Sequence, residues 1–331
     1  MTASQTFTVA EAAELAVIER GGFIESRHAG SAVVLDPDGG VVRSIGNPDA
    51  AIFPRSSLKP FQAVAVLTSG VPLAGAAMVL ASASHAGTPA HVDVVRSMLA
   101  EAGLTESALQ CPADWPLHTA ARDALVRNGG HASSITMNCS GKHAAMLLAC
   151  VKNGWPTDTY LEKTHPLQLQ IRDVVERLTG EKIQASAIDG CGAPIHAITL
   201  AGLARGIHRI ATASQSSPFA LYRNAAALRS AVLENGWAID GPGRANTVVI
   251  DELGVFAKGG AEGVMVMAAP NGTTVALKVL DGSLRAASAV ALTMLAQAGA
   301  IDEAAPQRLS DKLGLAVLGG GLPVGSIRVT V

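Results

Sequence analysis

Aromatic side chains are scarce in this chain: six Phe, three Trp and two Tyr among 331 residues. Stacking platforms for bases or sugar rings need several such rings side by side, which argues against both as partners. A surplus of positive charge is missing as well. The 25 Lys and Arg stand against 27 Asp and Glu, a net charge of −2, whereas a phosphate backbone needs a basic face. Cysteine is rare, with four, too few for the disulfide framework of a small secreted domain. Hydrophobic residues make up 49% of the chain, yet no apolar run approaches the ~20 residues that a membrane span needs. The opening Met1-Thr2-Ala3-Ser4-Gln5 has neither the basic nor the apolar stretch of a secretory leader. The expectation is a cytoplasmic protein with no nucleic-acid or membrane partner. Its length suits one large domain or two subdomains.

What is present divides into ends that read as sheet and a middle that reads as helix. Residues 15–18 and 23–25 look extended across Gly21-Gly22. Residues 32–35 and 41–45 flank Asp36-Pro37-Asp38-Gly39-Gly40, a strong hairpin turn. Near the other end, 247–250, 255–257, 264–267 and 274–280 are strand candidates, and 283–298 has helical composition. Between them the pattern predicts helices over 58–69, 89–102, 120–128, 142–153, 166–179, 197–205 and 217–235. An antiparallel sheet flanked by helices, in an α/β (α+β) arrangement, follows from that order. The sheet subdomain would take about 1–55 and 240–331, and the helical subdomain about 56–239.

Five short segments carry more chemistry than packing requires. In Ser56-Ser57-Leu58-Lys59 a serine and a lysine lie one helical turn apart, so an amine can sit beside a hydroxyl and activate it. Pro54 and Pro60 bracket the pair at a helix start, where free N–H groups favour an oxyanion. An N-capping serine with a surface lysine is the structural alternative. Ser82-Ala83-Ser84-His85 offers a hydroxyl for proton relay, or simply a turn. Asn138-Cys139-Ser140-Gly141-Lys142-His143 opens a helix and puts Cys139 and Lys142 one turn apart, without the spacing of a Walker motif. Asp189-Gly190-Cys191-Gly192 bends the chain around a second cysteine. Cys139 and Cys191 together could ligate a soft metal such as zinc, although no third Cys or His stands at a standard spacing. Lys258-Gly259-Gly260 follows a strand and is similar to the Lys-Thr-Gly element that accompanies Ser-x-x-Lys in penicillin-recognising enzymes. Two ammonium groups near one serine would lower each other's pKa, so one lysine could act as base.

These segments in this order, with Glu19-Arg20-Gly21-Gly22-Phe23-Ile24-Glu25-Ser26, Gly46-Asn47-Pro48 and Gly243-Arg244, resemble the rhizobial-type (class 3) L-asparaginases of the asparaginase II family. The likeness runs over nearly the whole chain. It implies a fold similar to serine β-lactamases and penicillin-binding enzymes, a homodimer, and hydrolysis of L-asparagine to L-aspartate and ammonia. By the resemblance Ser56 would be the nucleophile with Lys59 as its partner, and Ser84 with Lys258 the second Ser–Lys pair. Arg55, His143 and Asp189 would bind substrate. A zinc ion would be held by Cys139, Lys142 and Cys191, orienting substrate rather than driving the chemistry.

One departure stands out: where relatives often carry an acid soon after the Ser-His pair, this chain has Thr88. Asparagine differs from glutamine by one methylene, typically about 1–3 kcal/mol in a pocket, which sequence does not resolve. A β-lactam or peptide-type serine acyl hydrolase is the nearest rival, though no Ser-Asp-Asn triplet occurs. A non-catalytic amide- or zinc-binding protein is the rival from another class.

Overall fold

The computed structural model describes residues 5–331; Met1 to Ser4, part of the segment read for a leader, lie outside the described residues. The chain begins with three strands, β1 (Ala13–Arg20), β2 (Phe23–Leu35) and β3 (Val41–Ile45), then a short β4 (Ala51–Ile52). Six helices follow: α1 (Lys59–Thr68), α2 (Gly75–Leu80), α3 (Pro89–Glu101), α4 (Thr119–Arg127), α5 (Ser140–Asn153) and α6 (Pro166–Thr179). After β5 (Ala185–Ile188) and β6 (Pro194–Thr199) come α7 (Leu200–Ala211), α8 (Ala220–Glu234) and α9 (Ala245–Leu253). The chain closes with β7 (Phe256–Gly260), β8 (Val264–Ala268), β9 (Thr274–Val279), α10 (Ala287–Gln297), α11 (Ala305–Arg308), β10 (Ala316–Gly319) and β11 (Leu322–Val329). No helix among the described residues is long and apolar enough to cross a membrane.

The main sheet is antiparallel and runs β10-β11-β1-β2-β9-β8-β7, with β3 also paired to β2. Strands from the two termini therefore interleave, as their hydrophobic patterns predict. Every residue of β8 and β9 is buried. Because successive side chains point to opposite faces, both faces must be covered, and α7 and α10 both pack on these two strands. β7 is the terminal strand, and the turn before α1 packs on it.

Helix α1 is buried from Lys59 to Leu67 and contacts α5, α6 and α8. A helix apolar all round belongs in the centre of a core, and this one carries Lys59 inward with it. Pro60 sits in its first turn as expected, while Ser56 lies one step earlier, in a 3-10 turn over Arg55–Leu58.

Residues 247–250 are a correction. The β-branched run Thr247-Val248-Val249-Ile250 reads as a strand but lies inside α9, which ends at Gly254 with φ +62°. Packing of the buried run against β7 overrides the intrinsic preference. The stretch 197–199 also belongs to β6 rather than to a helix. A second, three-stranded sheet, β4-β6-β5, has strands too short to stand out, and Pro323 and Gly325 hide the alternation of β11.

Candidate active site

Ser56 occupies a tight turn. Arg55 before it has φ +52°, a left-handed conformation that costs a side chain roughly 1–2 kcal/mol. The turn is pressed against the end of β7. A Cβ on Gly260 would stand 2.4 Å from the Pro54 carbonyl oxygen and 3.1 Å from the Ser57 backbone nitrogen, so only glycine fits. Ser57 Oγ fastens the contact by donating to the Lys258 carbonyl at 3.0 Å. The Lys-Gly-Gly segment and the Ser-x-x-Lys segment thus meet.

Ser84 is where the lysines converge. Lys59 Nζ donates to Ser84 Oγ at 2.9 Å and to the Ala83 carbonyl at 2.7 Å. Lys258 Nζ donates to the same Ser84 Oγ at 3.0 Å and to its neighbour's carbonyl, Gly259 O, at 2.8 Å. The hydrogen bond of Lys59 therefore runs to Ser84 and not to Ser56: one serine receives two lysines instead of two serines taking one each. Burial, and next the charge of Lys59, pull Lys258 from an ordinary 10.5 down to about 7. Backbone bonds hold Ser84 in place, its N–H donating to Ile239 O at 3.0 Å and that of His85 to Asn138 O at 3.1 Å. The His85 ring lies 2.9 Å from Ser140 Oγ, tying the Ser84 segment to the start of α5.

That helix start carries the third cluster. Lys142 Nζ donates to Cys191 Sγ at 3.0 Å, and Cys139 and Cys191 lie within hydrogen-bonding contact as free thiols. The contact with Cys139 leads the causes that drive Cys191 far below the usual thiol range, with the Lys142 charge adding to it. Cys139 moves well up, from the same contact and from burial. Burial alone would lower Lys142, but the attraction of Cys191 and Cys139 outweighs it and the lysine is raised. Among the described residues no three His, Cys, Asp or Glu gather around a point; the third member of this group is a lysine. His143 packs edge-on against Tyr160, its Nδ1 2.7 Å from the phenol oxygen, and its buried Nε2 has no hydrogen-bond partner. The two sulfurs and one amine of this buried group are donors of a kind that zinc accepts.

Arg55 and Asp189 meet as a pair at 2.6 Å, with Glu262 3.6 Å from the same guanidinium. Glu262 is the other non-glycine residue with positive φ among the described residues, at +62°, so both strained residues belong to one ion pair. Arg55 lines a cavity of about 400 Å³ with Phe53, Glu262, Lys278 and Leu280. Ser56 and Ser84 line a different one, of about 440 Å³, with Asn138, Asp240, Arg244 and Asn246. Asp240 is the residue the sequence reading missed, and Arg244 was read there only as part of Gly243-Arg244, with no role in the site. Their trace is an acid and a base four apart across Gly241-Pro242-Gly243, legible only once Asp240 is known to face the serines. Thr88 caps α3, its hydroxyl 2.6 Å from His91 Nδ1 and accepting the His91 backbone N–H.

The family match defines the class: the chain is an amidohydrolase, an enzyme of small-molecule amides. The family model described as L-asparaginase II matches residues 16–329, and the chain belongs to that family. No curated protein matches. Among solved structures, a β-lactamase from Mycobacterium bovis aligns at 17% identity over 81% of this chain and 94% of that one, TM-score 0.46. The protein Mglu in its native form aligns at 13% identity over 88% and 66%, TM-score 0.41. A Bacillus glutaminase aligns at 13% identity over 82% and 91%, TM-score 0.37. Likenesses this distant carry nothing about substrate.

Proposed function

We propose that the protein hydrolyses L-asparagine to L-aspartate and ammonia through an acyl-enzyme on Ser56. The observation that carries this reading is the meeting of both lysines on Ser84, in the cavity that also holds Ser56. Two ammonium groups in so dry a cluster repel strongly, so the cluster holds one charge and one lone pair at neutral pH. Lys258, at about 7, provides the lone pair. As Ser56 Oγ attacks the side-chain amide carbon, Lys59 takes its proton and passes its own through the Ser84 hydroxyl to Lys258. Lys258 then protonates the departing ammonia, and water hydrolyses the β-aspartyl ester by the reverse path. Donors for the tetrahedral oxyanion are the Ser56 N–H and the Gly260–Ala261 segment. Cys139, Lys142 and Cys191 would hold zinc, which when bound supplies a positive charge that orients substrate; none of these steps passes through it. Two Arg–Asp pairs near the nucleophile, Arg55–Asp189 and Arg244–Asp240, offer counter-charges for an α-amino acid.

Ammonia release from L-asparagine and L-glutamine, measured beside Ser56→Ala, tests the proposal. Asparagine turnover lost in the variant supports both substrate and nucleophile. Release that survives the substitution sinks the serine mechanism, and a glutamine preference sinks the substrate.

A further inference from the structure

We infer that the Asp240–Arg244 pair, rather than Arg55–Asp189, is the cradle for the substrate's α-ammonium and α-carboxylate. The inference rests on reading Ser56 and Ser84 as the reacting centre. Asp240 and Arg244 line the same cavity as those two hydroxyls, whereas Arg55 lines the separate cavity beside Lys278. Arg55 is also committed already. Asp189 holds its Nε and Glu262 stands by a terminal nitrogen, so its charge is spent on steadying the strained turn.

Arg244 is placed differently. Its Nε donates to Asp240 Oδ1, while its terminal nitrogens have no hydrogen-bonded protein partner among the described residues, and the side chain is 41% exposed. Those two nitrogens form the planar fork that matches a carboxylate. Asp240 is nearly buried and fixed from behind, its Oδ2 accepting Asn246 Nδ2 at 2.9 Å. Asn246 Oδ1 in turn accepts the Gly259 N–H at 2.9 Å, so the pair is joined to the strand that carries Lys258. Lys258 feels both charges. Opposite charges side by side at one wall are the counterpart of an α-amino acid, whose own charges sit on adjacent atoms. The remaining wall contains Leu117, Met265 and Leu284, which offer no competing charge.

An i, i+4 ion pair that only fastens the chain is the competing account, and substrate analogues separate the two. 3-Aminopropanamide is asparagine without its carboxylate, and succinamate is asparagine without its amine. In Arg244→Gln the ratio of kcat/KM for asparagine over 3-aminopropanamide should fall about 10- to 100-fold, as expected for losing a charge-assisted contact. In Asp240→Asn the ratio over succinamate should fall likewise, and Arg55→Gln should move neither ratio. Equal losses on all amides in the Arg244 and Asp240 variants would overturn the cradle, since fold damage does not distinguish substrates. Arg244→Lys, which keeps the charge and the partner, should recover part of the ratio. Calorimetric titration of L-aspartate into Ser56→Ala, with and without Arg244→Gln, decides the point without turnover. A 10- to 100-fold weaker Kd supports the cradle, and an unchanged Kd or no aspartate binding overturns it. If the unaltered enzyme releases no ammonia, hydrolysis is refuted while this titration still judges the cradle.

Discussion

Two lysines, Lys142 and Lys258, are buried in this protein, and their neighbours set them apart. Both suffer the same penalty for carrying charge out of water. Lys142 stands against two cysteines, whose attraction turns its shift upward. Lys258 stands near Lys59, and its shift runs downward to about 7. The first is thereby held toward its charged form beside the two sulfurs, and it would have to give up that proton to ligate a metal. The second is poised to gain and lose a proton. Burial alone does not make a lysine catalytic; the sign of the nearest charge decides.

The largest effects should come from breaking the Lys258 side. Lys258→Met and Ser84→Ala should each lower kcat about 10²- to 10⁴-fold, the usual worth of a positioned acid–base group. Circular dichroism should find both variants folded, because methionine fills the space of the lysine stem. Wild-type rates in both would remove the relay.

Breaking the Lys142 side should instead register in stability. Lys142→Met leaves the Cys191 sulfur without its counter-charge, and truncating one partner of a buried pair costs about 3–5 kcal/mol. Urea unfolding measures it. Adding zinc to the metal-free protein should raise the melting temperature, and Cys139→Ser or Cys191→Ser should abolish the rise. An unchanged melting temperature in the wild type would reduce the cluster to an ion pair.

Much of this was legible in sequence and some was not. Local signals carried far: Pro60 and Gly180 mark helix ends at or near where they fall, and Asp36 to Gly40 forms the hairpin turn between β2 and β3. The five chemistry-bearing segments held most of the residues that meet. The partner of Lys59 was not legible, because the Ser84–His85 segment is placed by backbone bonds to residues 239 and 138 that no local pattern encodes. Asp240 was hidden for the same reason, and Arg244 stood in the motif Gly243-Arg244 without a role to go with it. The run 247–250 misled because β-branching describes a residue's preference, while the surface it lands on decides its conformation.

The Lys258 shift also has a smaller thermodynamic consequence. Between about 7 and 10.5 the unfolded chain holds a proton that folded Lys258 has released. Stability should therefore rise with pH across that window, with this contribution complete above 10.5 and lost as pH falls through 7. Urea midpoints of wild type and Lys258→Met, compared at pH 7 and pH 10, should diverge by that slope. Parallel midpoints would mean that Lys258 keeps its proton in the folded state. The rate should follow the same group, with kcat/KM rising through pH 7.

The weakest expected effect tests whether Thr88 belongs to the active centre at all. A threonine where relatives often carry an acid suggests altered substrate binding. The structure gives it another employment: its hydroxyl accepts the His91 N–H at the start of α3 and meets the His91 ring. The His91 ring lies 5.2 Å from that of His85, so the cap touches the Ser84 segment only through two imidazoles. Thr88→Ala should cost about 1 kcal/mol, the worth of an N-cap, and Thr88→Ser should restore it. The asparagine KM should stay within about twofold, since a cap of this size is spent on the helix rather than on the substrate. A tenfold change in KM at unchanged stability would return Thr88 to the substrate's surroundings and move the boundary of the site beyond the cavity that Ser56, Ser84, Asp240 and Arg244 share.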